Sequence, residues 1–204
     1  MNSRYYDEGY SLLYWEKEVE AVCPKCGETG VIKGNPSWRE WNATFMCKGC
    51  SHSLRTERDN WQGPVRGFGK RPCGYCGHKW VYAEEFCETP SSIKKCKKVS
   101  SCPVCNKESE VELTYYKNEP EDHAIDPYFG LELALKENTR HGAVWAYGEP
   151  HLEELKKYIG AKLREGSSEK WSYLSRLPTW LKSAKNRDMV LKAIGKLEKR
   201  LITR

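Results

Sequence analysis

Ten cysteines are the residues of this 204-residue chain whose type and spacing point most directly to chemistry. Eight of them form four Cys-x-x-Cys pairs, which are Cys23/Cys26, Cys47/Cys50, Cys73/Cys76 and Cys102/Cys105. Two thiolates separated by two residues can hold one tetrahedral ion from a tight turn, and a second such turn completes the shell. Four soft ligands per site favour structural Zn²⁺, with iron as the lesser alternative. The spacing therefore predicts two zinc ions, each held by two successive pairs.

The order of the pairs indicates an internal duplication, because Cys73 follows Cys23 by 50 residues and Cys102 follows Cys47 by 55. Between the pairs, residues 37–46, 79–82 and 109–116 alternate apolar and polar side chains, which predicts short β hairpins. Two zinc-binding modules are expected, over residues 12–60 and 61–117. Each has few apolar residues, so metal binding would supply folding free energy on the order of 10 kcal/mol per site.

Four further residues of types that can bind metal lie near these pairs in the sequence. Cys87 and Cys96 have no counterparts in the first module, and three alternatives are open: unpaired bystanders, a mutual pair across a hairpin, or replacement ligands. His52 and His78 each follow a paired cysteine by two residues. We expect both imidazoles to lie beside the metal shell or in solvent and not to bind the ion.

A different composition follows the cysteines. Residues 118–127 are acidic and contain prolines, which predicts a linker before a third domain over 128–204. Residues 128–136 and 143–147 suit a hairpin, although the first run could be helical. One helix is predicted from Glu149 to about Arg164, a short one around residues 171–177, and a last one capped by Asn186. Apolar stripes that mark packing between helices comprise Leu152, Leu155, Ile159 and Leu163, and then Val190, Ile194, Leu197 and Leu201.

The fold class predicted from these elements is a small, zinc-stabilised α+β protein. Its two tandem β zinc ribbons are followed by a β hairpin and C-terminal helices. The chain shows no export signal, and no stretch approaches the roughly 18 to 20 apolar residues of a spanning helix, so a cytoplasmic location is expected.

The charge is uneven along the chain. Residues 151–204 contain 14 Lys or Arg against 6 Asp or Glu, whereas residues 1–150 contain 20 against 22. Ionising eight thiols and binding two Zn²⁺ lowers the formal charge from +6 to about +2, so whole-chain charge is a weak argument for nucleic acid. Two local sets are the candidate phosphate-binding and base-stacking residues: Arg66, Lys70, Arg71, Lys94, Lys95, Lys97 and Lys98 in the second module, and Arg176, Trp180, Lys182, Lys185 and Arg187 in the tail. The alternatives are a solvated hairpin tip for the first set and a solvated helical surface with a buried Trp for the second.

The Cys-x-x-Cys motifs in Cys23-Pro24-Lys25-Cys26-Gly27 and Cys73-Gly74-Tyr75-Cys76-Gly77 resemble those of zinc ribbons in transcription factors and polymerase subunits. This resemblance covers about residues 12–117. The C-terminal run, including Val144-Trp145-Ala146-Tyr147 and Ser175-Arg176-Leu177-Pro178, resembles the tail of uncharacterised bacterial zinc-ribbon proteins. Some of those relatives carry labels taken from a replication-restart helicase or a general transcription factor. They have a cysteine pair in the turn where this chain has Arg140-His141, so the resemblance does not imply a third metal site here.

Sequence signatures of catalysis are absent: the chain has no Gly-rich phosphate loop, no Gly-x-Ser-x-Gly and no His-Glu-x-x-His. Glu121, Asp122, His123 and Asp126, with His141 or His151, could bind a hard cation as a nuclease does, but acidic groups in a linker are usually solvated. A non-enzymatic, zinc-dependent nucleic-acid-binding protein is therefore the first hypothesis. An adaptor that docks onto a larger DNA-maintenance or phage-defence complex is the second, and a metal-dependent nuclease is the third.

Overall fold

The computed structural model describes residues 4–36, 41–58, 61–119, 124–165 and 171–202. The chain is a mixed α+β protein that divides into two compact units. The larger unit comprises residues 1–59 with 122–204, and the smaller unit comprises residues 60–121. Part of the predicted hairpin segment over 37–46 lies outside the described residues, as do Glu121, Asp122 and His123.

In the larger unit, strand β1 (Arg4–Tyr6) and helix α1 (Leu12–Trp15) precede a four-stranded antiparallel sheet. That sheet consists, in spatial order, of β2 (Glu18–Val22), β3 (Thr29–Pro36), β4 (Trp41–Cys47) and β5 (Ser53–Arg55). Val19, Ile32, Phe45 and Leu54 lie opposite one another in one buried row across all four strands. Successive side chains of a strand point to opposite faces, so the alternation in the sequence buries this row.

The smaller unit contains only short strands and one 3-10 turn among its described residues. The strands are β6 (Val65–Arg71), β7 (Val81–Cys87), β8 (Lys97–Ser101), β9 (Glu108–Glu112) and β10 (Thr114–Lys117). They form two sheets, with orders β10-β6-β7 and β8-β9. Six buried residues form its core cluster among the described residues: Cys73, Val81, Ala83, Cys102, Val111 and Leu113.

The chain then returns to the larger unit, where residues 124–134 pack against the four-stranded sheet. Phe129 and Leu133 join its core, and the Val22 N–H donates to the Glu132 carbonyl at 2.8 Å. Asp126 is fully buried; Oδ1 accepts from the N–H groups of Tyr128 and Phe129, and Oδ2 accepts from that of Leu131. The end of the predicted 118–127 linker is therefore part of the folded unit. The Asp126 carboxylate satisfies main-chain N–H groups of the loop that follows it.

Among the described residues, the remaining elements of the larger unit are a hairpin, a short strand, four helices and a 3-10 turn: β11 (Leu135–Thr139), β12 (Gly142–Ala146), α2 (Glu149–Gly160), β13 (Leu163–Glu165), α3 (Tyr173–Arg176), α4 (Thr179–Lys182), the 3-10 turn Ala184–Asn186 and α5 (Arg187–Ile202). The hairpin pairs antiparallel with its turn at Arg140-His141. Leu155, Ile159, Ile194 and Leu197 pack beneath it in a second core. No helix in the described ranges is both long and apolar enough to cross a bilayer.

One of the predicted helix boundaries is wrong. Helix α2 ends at Gly160, and Leu163, predicted to lie on its buried stripe, is 49% exposed in β13. There it pairs with Arg4 of β1, a contact that no local pattern encodes. Helix α5 begins at Arg187, directly after Asn186 as predicted, and the Asn186 side-chain amide donates to the Trp180 carbonyl at 2.9 Å.

Candidate metal centres and the surrounding surface

The four Cys-x-x-Cys turns share one backbone geometry. In each, the N–H of the first cysteine donates to the carbonyl five residues later, at 2.8 Å (Cys23 to Glu28), 2.8 Å (Cys47 to His52), 2.9 Å (Cys73 to His78) and 3.0 Å (Cys102 to Lys107). The residue after the second cysteine has positive φ in every case: Gly27, Ser51, Gly77 and Asn106. Gly and Asn adopt this conformation at low cost, whereas Ser51 is less usual.

Each turn connects two paired strands, which places its cysteines at a sheet end. In the larger unit, β3 pairs with β2 and with β4, so Gly30 lies opposite both Ala21 and Cys47 and both turns meet at one end. In the smaller unit one turn follows β6 and the other follows β8, which belong to different sheets.

The two predicted sets of four cysteines are brought together as two tetrads, each with its sulfurs within 4.8 Å of one another. Sγ–Sγ separations in the first tetrad include 3.5 Å (Cys26 to Cys47) and 3.7 Å (Cys23 to Cys50). In the second tetrad they include 3.6 Å (Cys73 to Cys105) and 3.7 Å (Cys76 to Cys102). A tetrahedron with Zn–S bonds of about 2.3 Å has sulfurs about 3.8 Å apart. Both tetrads therefore have the size of a four-thiolate metal shell.

The electrostatics of the tetrads favour a bound cation. Main-chain N–H groups of Cys76 and Tyr75 lower the pKa of Cys73 to about 6. Burial raises the pKa of Cys47, but the N–H groups of Cys50 and Gly49 outweigh it and lower the value to about 7. The Glu28 and His78 main chains lower the pKa of Cys26 and Cys76 respectively, yet hydrogen bonds with neighbouring sulfurs raise both to about 12. Four thiolates this close need a cation to offset their repulsion.

The other predicted donors lie outside the tetrads. The carbonyls of His52 and His78 are used in the turns, and the His52 imidazole packs edge-on to Phe45. Cys87 is half-buried and Cys96 exposed; both are free thiols, so they form no mutual disulfide and replace no tetrad ligand. Among the described residues, no other group of three or more His, Cys, Asp or Glu side chains could hold a metal.

The proposed nuclease residues are not assembled in the described part of the chain. Asp126 is occupied with loop N–H groups, and Glu121, Asp122 and His123 lie outside the described residues. His141 is exposed at the hairpin turn, with its ring 6.1 Å from that of Trp180. His151 is buried between Trp15 and Tyr173, and Nδ1 accepts from the Tyr147 N–H. Burial lowers the pKa of His151 to about 3, so the imidazole is neutral at physiological pH.

The seven basic candidates of the smaller unit are all exposed, but they differ in their partners. Arg66 forms an ion pair with Glu84, and Lys97 forms one with Glu110 at 3.2 Å. Arg71 and Lys98 donate to main-chain carbonyls, at 3.0 Å and 2.7 Å. The Lys70 ammonium lies 4.6 Å from the Trp80 ring centroid, and Lys94 and Lys95 lie in the exposed segment before β8.

The C-terminal candidates make more contacts within the fold than those of the smaller unit. Trp180 is half-buried against the second core and the hairpin turn, and Lys182 donates to the Ser175 carbonyl at 2.8 Å. Arg176 stacks over Trp171 at 4.8 Å, Lys185 is exposed, and the Arg187 Nε is buried without a partner. Nearby, Glu137 neutralises Lys196 and Arg200, and its hydrogen bond with Lys196 lowers its pKa.

One group of surface residues was missed by sequence reasoning. Phe68, Tyr82, Phe86 and Tyr116 are exposed aromatic side chains on the β10-β6-β7 sheet. The alternation Arg66-Gly67-Phe68-Gly69-Lys70 contains the signal, since glycines on one face leave the intervening side chains on the other.

Comparison of the chain with protein-family models, curated proteins and solved structures found no match.

Proposed function

We propose that this is a non-enzymatic protein that binds two structural Zn²⁺ ions and uses the smaller unit to bind nucleic acid. Each tetrad would then belong to a zinc ribbon, in tandem and of the kind found in the bacterial proteins that the sequence resembles. The four-sulfur donor set, the spacing of the sulfurs and the lowered pKa of Cys47 and Cys73 support the metal assignment.

Zinc is the ion proposed because four thiolates give a closed tetrahedral site with no position for substrate, the arrangement typical of structural zinc. The proposal predicts about two zinc atoms per chain by elemental analysis of protein purified without added metal. A single metal atom per chain, or iron in place of zinc, would contradict it.

The observation that supports nucleic-acid binding is that most basic candidates of the smaller unit have no carboxylate partner among the described residues. Of the seven basic candidates, five have no carboxylate partner among the described residues: Lys70, Arg71, Lys94, Lys95 and Lys98. Their positive charge is available to phosphates. The C-terminal set offers fewer groups to a nucleic acid, because Trp180 packs against the second core and Lys182 donates to the Ser175 carbonyl.

Phosphate-led binding predicts a steep dependence of affinity on salt. If about four phosphates are neutralised on a single strand, the affinity should fall on the order of 50-fold between roughly 50 and 200 mM salt. Fluorescence anisotropy with labelled single- and double-stranded DNA and RNA measures this directly. Absence of binding to every one of these probes at the lower salt concentration would refute the proposal and favour an adaptor that binds protein.

A further inference from the structure

The β10-β6-β7 sheet of the smaller unit has two unlike faces. On the inner face, Gly67 lies against the ring of Tyr115 and Gly69 against the main chain of Glu112, where an added Cβ would clash with the carbonyl oxygen. The alternate residues of β6, which are Arg66, Phe68 and Lys70, point to the opposite face and are exposed. One face of the sheet is therefore buried, and the opposite face, called the open face below, is exposed to solvent.

This open face carries aromatic side chains in every row of the sheet. Tyr116, Arg66 and Phe86 lie opposite one another in the first row, and Phe68 lies opposite Glu84 in the second. Lys70 lies opposite Tyr82 in the third. The exposed fractions are 64% for Phe86, 61% for Tyr116, 53% for Tyr82 and 38% for Phe68, which is unusual for large rings on a soluble surface.

Cations are interleaved with these rings. The Arg66 guanidinium lies 5.5 Å from the Phe86 ring centroid, and the Phe68 and Tyr82 rings are 6.1 Å apart. Glu84 is the single carboxylate in these three rows and is already paired with Arg66. The face therefore matches a partner that combines planar rings with negative charge, whereas an apolar protein surface would leave the cations without a partner.

We propose that this open face, defined by Arg66, Phe68, Lys70, Tyr82, Phe86 and Tyr116, is a stacking platform for single-stranded nucleic acid. The inference rests on the proposed function and specifies its substrate class. Neighbouring rows are about 6.8 Å apart, twice the 3.4 Å rise of a stacked strand. Bases that contact successive rows must therefore separate from one another, which single strands do at little cost and duplexes do not.

The test uses the full-length, zinc-loaded protein at low salt with a labelled oligothymidine of about 12 nucleotides and a duplex of matched length. We expect the single strand to bind at least about tenfold more tightly than the duplex. Phe86→Ala and Tyr116→Ala should each weaken single-strand binding by roughly five- to hundredfold, since stacking contributes about 1 to 3 kcal/mol per base. Phe86→Leu should lose most of the affinity and Phe86→Trp should retain it, because stacking needs a ring and not only an apolar group.

Tyr6→Ala is the matched control, since Tyr6 is an aromatic side chain of similar exposure, 59%, that belongs to the larger unit and not to the open face. Zinc content establishes that each variant is folded. Equal affinity for both probes, together with Phe86 and Tyr116 variants that behave like the control, would overturn the stacking platform while leaving nucleic-acid binding in place. Absence of binding to either probe would instead refute the proposed function itself.

Discussion

The two cysteine tetrads share their turns, but the structures that support them differ. Among the described residues, thirteen form the buried cluster around the first tetrad, including Phe45, Phe129 and Leu133. Only six surround the second. In the larger unit both cysteine turns belong to one continuous sheet, whereas in the smaller unit each turn belongs to a different sheet. The same metal chemistry can therefore contribute very different fractions of the stability of its unit.

The largest effect should follow from removing one ligand of the second tetrad. In Cys102→Ser, the smaller unit loses metal-binding free energy on the order of 10 kcal/mol and should unfold, because its core is too small to hold the two sheets together. Amide hydrogen exchange should show loss of protection across β6 to β10 and retained protection in α2 and α5.

The matched change in the first tetrad is Cys47→Ser, because Cys47, like Cys102, is buried and is the first cysteine of the second turn in its module. One zinc atom should be lost, yet β2 to β4 should keep protected amides because the row through Phe45 remains buried. Equal unfolding of both units by either substitution would show that the two tetrads do not act separately.

The larger unit should depend more on its apolar core than on its metal ion. Phe45→Ala removes the ring at the centre of the buried row and should cost about 3 to 5 kcal/mol. Denaturant unfolding followed by signals of the larger unit measures this loss. Val99→Ala, at an exposed strand position of the smaller unit, is the control and should change stability by less than about 0.5 kcal/mol.

Acid should destabilise the larger unit through a group that the smaller unit lacks. The pKa of His151 is lowered to about 3 by burial, whereas in the unfolded chain it is near 6.5, so the unfolded chain takes up a proton that the folded chain excludes. The stabilisation is complete above pH 6.5 and decreases as the pH falls towards 3. Between pH 7.0 and 5.5 the loss is about 1.3 kcal/mol.

His151→Asn separates this effect from protonation of the cysteines. The amide oxygen can replace Nδ1 as acceptor for the Tyr147 N–H but does not titrate in this range. Unfolding free energies at the two pH values should differ less in the variant, by that same 1.3 kcal/mol or so. An identical pH dependence in both proteins would show that His151 is protonated in the fold.

The sequence predicted most reliably what depends on short-range spacing. Cys-x-x-Cys turns are local, and their grouping followed from order along the chain; the α5 stripe through Val190, Ile194 and Leu197 follows from helical periodicity. Leu163 and Asp126 were misjudged because distant partners decide their positions: β1 pairs with Leu163, and packing against the first sheet buries the Asp126 loop. The open face could not be predicted, because the sequence does not show which side of β6 is buried. Gly69 packs against the main chain of Glu112, which lies 43 residues away in the sequence.

The smallest effect concerns exposed lysine pairs on the two units. Lys94→Gln combined with Lys95→Gln removes two exposed charges of the smaller unit. The slope of log affinity against log salt for a single strand should become shallower by about 1.4 if both bind phosphate. Lys156→Gln combined with Lys157→Gln, on α2 of the larger unit, removes the same charge and should leave the slope unchanged. An equal change for both pairs would mean that the cations act through overall charge, because only contact at the smaller unit makes their position matter.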